Sequence, residues 1–202
     1  MKNFKGLMLA FILGVIVIFS AQKSLQIQAK SIGACSTDLI KAAARQDIEY
    51  LRRNYAKATD LLAITEEASF NEGLEIYRSI FTVDADFSVS GDGALDMSAT
   101  GPDAWADIVE KILGPMGPTQ HLIGTQRVID LNVDISSDCK IQSGSAKMES
   151  YVQAWHDLPN SKIWHYLGSY FDNVIYVSGK GWQIEKMNLM RITTETRNKL
   201  SD

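Results

Sequence analysis

The chain changes its hydrophobic period once, near Thr119, and the change divides it into a helical half and a strand half. Before that point apolar residues recur at intervals of three and four, the spacing of helices with one buried face. Ser36 or Thr37 can cap a first helix that runs to about Ala63, with Leu39, Ile40, Ala43, Ile48, Leu51, Tyr55 and Leu62 on its apolar side. Lys41, Arg45, Glu49, Arg52 and Arg53 then fall on the opposite, solvated side. A second, shorter helix is predicted from about Ser69 to Ile80, and the segment FTVDADF turns the chain into a first strand near Asp86 to Ser90. The stretch GDGALDMSATGP reads as a loop, and Pro102 opens a third helix with Trp105, Ile108, Val109 and Ile112 that stops at Gly114-Pro115. From there the period is two. Four long strands rich in Val, Ile, Tyr and Trp are predicted at Thr119 to Leu131, Ser143 to Asp157, Ile163 to Val177 and Gly181 to Thr193. Ser136-Ser137-Asp138, Pro159-Asn160 and Ser178-Gly179 break them as turns.

Helices followed by long alternating strands imply an α+β fold, with three N-terminal helices packed on a strongly curved antiparallel sheet. A curled sheet closed by helices makes a cone with an apolar pocket, which can bury most of a hydrophobic small molecule. One domain, residues 36–197, is expected, in keeping with 202 residues of which 46% are hydrophobic and 22% charged. A formal charge of −4 without any dense run of Lys or Arg argues against a nucleic-acid partner.

The N-terminus alters the compartment rather than the fold. Lys2 and Lys5 precede thirteen mostly apolar residues, Leu7 to Phe19, and then Ser20 and Ala21, the layout of a secretory signal over residues 1–29. Thirteen residues fall short of the roughly 20 that cross a bilayer as a helix, so contact with a membrane is expected only through this segment, and only if it stays uncleaved. Cleavage would remove Lys2, Lys5 and Lys23, shift the formal charge to −7 and release the protein to the periplasm or medium. In that oxidising setting Cys35 and Cys139, 104 residues apart, are equally compatible with one disulfide and with two thiols.

Several site classes are missing from the sequence. No Gly-rich phosphate loop follows a strand, no His-Glu-x-x-His occurs, and no serine sits in a nucleophile elbow. Three histidines without close pairing give poor metal-ligand spacing, so neither a cofactor nor a metal is expected. Asp60 is conspicuous for another reason. A short carboxylate in a helix body competes for nearby backbone donors and calls for solvent or a partner.

A set of motifs carries a resemblance from about Lys41 to Thr193. They are Tyr55-Ala-x-x-x-Asp60, Ile80-Phe81-Thr-x-Asp-Ala-Asp-Phe87, a glycine and helix at Gly101, Thr119-Gln-His121, the tract Ala146 to His156, Gly168-Ser-Tyr170-Phe-Asp172 and Gly181-Trp182. In order and spacing they resemble the SnoaL-like group of the nuclear transport factor 2-like superfamily, which includes scytalone dehydratase, bile-acid dehydratase, polyketide cyclases, ketosteroid isomerases and a hexachlorocyclohexane dehydrochlorinase. The resemblance implies that Asp60 pairs with His121, that Tyr55 is the third catalytic member, and that His156 holds a water or leaving group. Tyr151, Trp155, Tyr170 and Trp182 are expected to wall the pocket; Arg127 and Arg191 either clamp an acidic group or cover a solvent face. His165 is read as structural.

The chemistry is consistent with those roles. A neutral imidazole can take a proton, a carboxylate on its other nitrogen fixes the tautomer, and a phenol can donate to an oxygen that gains charge. One geometric condition applies: residues five apart on a helix point about 140° from each other, so Tyr55 and Asp60 share a cavity only if it wraps the helix. The expected activity is a cofactor-independent lyase or isomerase, with elimination of water suiting the parts best. The alternatives are a non-catalytic binding or assembly module of the same fold, or an accessory oxygenase subunit. A homo-oligomer is compatible with the resemblance.

Overall fold

The computed structural model describes residues 35–199. Its elements in chain order are α1 (Thr37–Leu62), α2 (Glu67–Ile80), β1 (Phe81–Ser90), β2 (Ser98–Thr100), α3 (Pro102–Leu113), β3 (Thr119–Ile135), β4 (Ile141–Leu158), β5 (Lys162–Val177) and β6 (Gly181–Asn198). The expected signal segment, residues 1–29, lies outside the described residues. Among the described residues no helix is long and apolar enough to cross a membrane.

α1 buries Ala44, Ile48, Leu51, Tyr55, Ala58 and Leu62, alternating steps of four and three that lay one continuous stripe against the sheet. Three residues depart from the expected faces, among them Ala43, which is exposed while its neighbour Ala44 is buried. Leu39 is 72% exposed, because it lies in the first turn, before the stripe begins at Ala44. Arg52, expected on the solvated side, is fully buried, for reasons that belong to the site. α3 starts where Gly101, at φ 86°, turns the chain out of β2; a Cβ there would stand 2.9 Å from the Val83 carbonyl oxygen. Pro102 follows in the first turn, where its missing N–H costs nothing.

The six strands form one sheet in the order β2-β1-β6-β5-β4-β3. β3 to β6 are joined by short turns and pair antiparallel over nearly their whole length. β1 does not follow the expected antiparallel rule: it runs parallel to β6, so the sheet is mixed. The connectivity gives the reason. β1 continues directly from α2 and pairs antiparallel only with β2, which leads into α3; no hairpin ties β1 to β6, and a parallel pair needs a long connection of that kind. Register shifts interrupt β3 at Ile123/Gln126 and Ile129/Asn132 and the β5/β6 pair at Leu167/Gly168 and Asn173/Val174. Bulges of this kind bend strands, and they curl the sheet around the helices.

The core is aromatic where helices meet sheet. Tyr55 stacks on Tyr77 with ring centres 5.2 Å apart, Phe81 meets Phe87 at 4.7 Å, and Phe87 stacks on Trp105 at 5.1 Å. No disulfide joins Cys35 to Cys139, and Cys139 is an exposed thiol, so the cross-link is not among the forces holding the sheet.

Candidate active site

Asp60 stands near the C-terminal end of α1, and His121 is the third residue of β3. His121 Nδ1 lies 2.7 Å from Asp60 Oδ1. The backbone N–H of His121 also donates to both carboxylate oxygens, at 3.0 and 3.3 Å. A carboxylate oxygen cannot donate, so Nδ1 carries the proton and Nε2 of the neutral ring keeps a lone pair. The double attachment, ring and backbone to one carboxylate, fixes both the tautomer and the ring's orientation. His121 lines a cavity of about 300 Å³, while Asp60 stands behind the ring and outside that lining.

His156 lies across from Thr119 in the β3/β4 ladder, and its Nδ1 is 2.7 Å from the Thr119 hydroxyl. Its ring meets the His121 ring edge-on at 5.5 Å and lies 4.8 Å from Trp164. Burial, then the neighbouring His121 and His165, push His156 down to about 3, so it is neutral at physiological pH. A charge at His156 would oppose any positive charge at the His121 ring 5.5 Å away; the neutral ring does not.

Tyr55 faces the same cavity one and a half helical turns before Asp60. Its hydroxyl accepts from Trp105 Nε1 at 3.2 Å, and because an indole N–H only donates, the phenol retains its own proton to give. Next to it, Thr59 donates its hydroxyl proton to the Tyr55 carbonyl, so Tyr77, 2.7 Å from the same Thr59 oxygen, donates to Thr59. Tyr55 and Asp60 do not share the cavity, as the 140° between them foretold: Tyr55 is in its lining, whereas Asp60 lies outside it, in contact with His121.

Beneath Tyr55 lies the one feature at the site that contradicts the solvated-face assignment. Arg52 is fully buried, its Nη2 pairs with Asp172 Oδ1 from β5, and both side chains have no solvent exposure. The guanidinium carbon also stacks 3.8 Å from the Tyr170 ring centre and 4.5 Å from that of Tyr55. Burial lifts the Asp172 carboxyl above its usual range despite the cation beside it. An arginine on α1 thus ties the helix to β5 and holds two aromatic rings of the cavity floor.

The expected wall residues divide. Tyr170 and His156 line the cavity; Tyr151, Trp155 and Trp182 do not. Strand parity explains the first two: on β4 the residues Val152, Ala154 and His156 face inward, which turns the odd-numbered Tyr151 and Trp155 outward. Tyr151 is 60% exposed, and Trp155 stacks on His165 at 4.1 Å beneath Arg197. Trp182 is buried core at the far end of the sheet, beside Tyr176 and over Gly144, where a Cβ would meet its ring at 2.5 Å. Arg191 lines the cavity, and the exposed Arg127 pairs with Glu149 at 3.8 Å. Sequence reasoning passed over Trp105, Trp164, Tyr166 and the Arg52–Asp172 pair. The even parity of β4, carried across the ladder, was a signal for Trp164 and Tyr166. No group of three or more His, Cys, Asp or Glu among the described residues is placed to hold a metal ion.

Known structures place this geometry in context. A protein from Novosphingobium aromaticivorans assigned as a scytalone dehydratase superposes with TM-score 0.55 at 21% identity, over 83% of this chain and 99% of its own. Hexachlorocyclohexane dehydrochlorinase LinA-type3 from Novosphingobium barchaimii superposes with TM-score 0.61 at 16% identity, over 82% and 99%. The β subunit assigned to an aromatic-ring-hydroxylating dioxygenase of N. aromaticivorans gives 0.54 at 17%, over 76% and 92%. At such identities the likeness is one of fold. No curated protein sequence matches the chain. The model of the SnoaL-like domain matches residues 71–188, more than half of the sequence, and the chain belongs to that family.

Proposed function

We propose that the protein is a cofactor-independent lyase or isomerase that removes a proton from carbon in a hydrophobic cyclic small molecule, with elimination of water as the reaction. The observation that carries this reading is the 2.7 Å contact between Asp60 and a histidine that faces an apolar cavity. In the reaction His121 Nε2 takes the proton, Asp60 steadies the imidazolium, and the electrons of the C–H bond become the new double bond as the neighbouring C–O bond breaks. The imidazolium then returns its proton to the departing oxygen, which leaves as water and resets the base. Tyr55 donates a hydrogen bond to the oxygen that gains charge, in a cavity that Trp105 and Ile108 also line. Two of the fold neighbours carry the names of eliminating enzymes, a dehydratase and a dehydrochlorinase, which supports the class.

The test is a screen of hydroxylated cyclic ketones for loss of 18 mass units, followed by His121→Gln. Removing a general base of this kind costs about 10²- to 10⁴-fold in rate. Elimination by the variant at the wild-type rate would end the assignment of His121 as the base, and no elimination by the wild type would leave a binding module.

A further inference from the structure

Tyr166 is a polar group the reaction above does not use. Its hydroxyl is buried and has no hydrogen-bond partner among the described residues, although the residue lines the cavity. A buried donor left without a partner is costly, on a scale that folded proteins rarely accept without return. The ladder shows where it stands. His121 pairs with Ala154, Ala154 with Tyr166, and Tyr166 with Thr194, so one transverse row crosses β3, β4, β5 and β6 on the cavity face. Ala154 is the smallest member of that row, and it separates the histidine from the tyrosine by two strand spacings, about 10 Å of backbone. The gap is a slot with a base on one bank and a phenol on the other.

The seat of Tyr166 is built for its ring. Two residues on, Gly168 supplies no Cβ; one placed there would stand 2.7 Å from Tyr166 Cε1 and 2.8 Å from the Met190 carbonyl oxygen. Burial holds the phenol up at about 12 against the opposing pull of Arg191, so the group stays a neutral donor.

We propose that Tyr166 determines ligand specificity in this cavity by donating its hydroxyl to an acceptor oxygen of a flat, ring-based ligand that lies over Ala154 with its opposite edge at His121. The inference rests on the reading of the cavity as a small-molecule site, and it narrows the substrate class to cyclic ketones or hydroxylated rings whose oxygen is about one ring system away from the acidic C–H. A hydrocarbon of the same shape is discriminated against.

The experiment compares binding of α-tetralone with that of tetralin, the same bicycle without the oxygen, to the full chain by titration calorimetry. Wild type should prefer α-tetralone by about 3- to 10-fold, the worth of one net hydrogen bond. Tyr166→Phe should abolish that preference, keep tetralin affinity, and unfold at the same temperature or higher, since no protein partner is lost. Binding and turnover are read separately, which distinguishes this assignment from the catalytic one: a protein that shows the preference but no turnover retains the Tyr166 site and loses only the proposed reaction. A preference that survives Tyr166→Phe, a lowered unfolding midpoint in that variant, or failure of wild type to bind either compound at millimolar concentration overturns the proposal.

Discussion

His156 illustrates how one side chain can serve a site and burden the fold together. Its ring is 2% exposed, and burial with two neighbouring histidines holds it down at about 3, against an ordinary value of 6.5. In the unfolded chain it takes up a proton as pH falls below about 6.5, whereas the folded protein resists until about 3. Stability therefore is fully present above pH 6.5 and declines with falling pH across that window, by on the order of 1 kcal/mol per pH unit. Urea unfolding of His156→Gln between pH 6 and pH 4 should show a shallower decline than wild type. Parallel profiles would mean that His156 is protonated in the folded state. The ring's role was accessible from the sequence only through resemblance, because a slip of one residue in register would have turned it outward. Tyr151 and Trp155, expected in the wall without regard to parity, are turned out by that rule, since they alternate with the inward Val152, Ala154 and His156.

At the scale of elements, α1 is the part on which the site depends, because it presents Arg52, Tyr55, Thr59 and Asp60 to different partners along two and a half turns. Helical periodicity predicted the helix nearly to its last residue, and it predicted Tyr55 as buried. It failed at Arg52, since a period marks a position as inward-facing but carries no information on a charge waiting 120 residues away on β5. A buried pair is strongly sensitive to loss of one partner, because the other charge remains in a medium that cannot solvate it. Asp172→Asn should therefore lower stability by about 3 to 5 kcal/mol in chemical denaturation. Replacing both residues together, Arg52→Met with Asp172→Leu, should cost less than the single change. If Asp172→Asn unfolds within about 1 kcal/mol of wild type, the pair is not what fastens α1 to the sheet. β1 offers the converse lesson: its strand character was legible in FTVDADF, but its parallel pairing to β6 depends on α2 and α3 and could not be read locally.

In the whole molecule, the helices and the curled sheet together line the cavity, and the segment from Gly91 to Met97 between β1 and β2 adds Ala94 and Leu95 to the lining. The sequence marked this stretch as a loop from its Gly and Asp content, and the short β2 within it escaped notice because three residues carry no periodicity. Its position is set by two contacts with β6. Arg191 Nη1 donates to the Asp92 carbonyl, and Gly91 presses against the Arg191 backbone at φ 100°, where a Cβ would stand 2.3 Å from the carbonyl oxygen. An L-residue cannot hold this conformation and this approach together. Gly91→Ala should thus displace the loop while leaving the core between α1 and the sheet in place, since Gly91 itself meets the Arg191 backbone and not the stacked rings of that core. The expected result is faster chymotrypsin cleavage at Leu95, which is already 60% exposed, with weaker binding of α-tetralone and an unfolding transition that stays cooperative. Unchanged cleavage with unchanged binding would show that the close approach at Gly91 does not hold the loop, and the loop would then have no part in retaining a ligand.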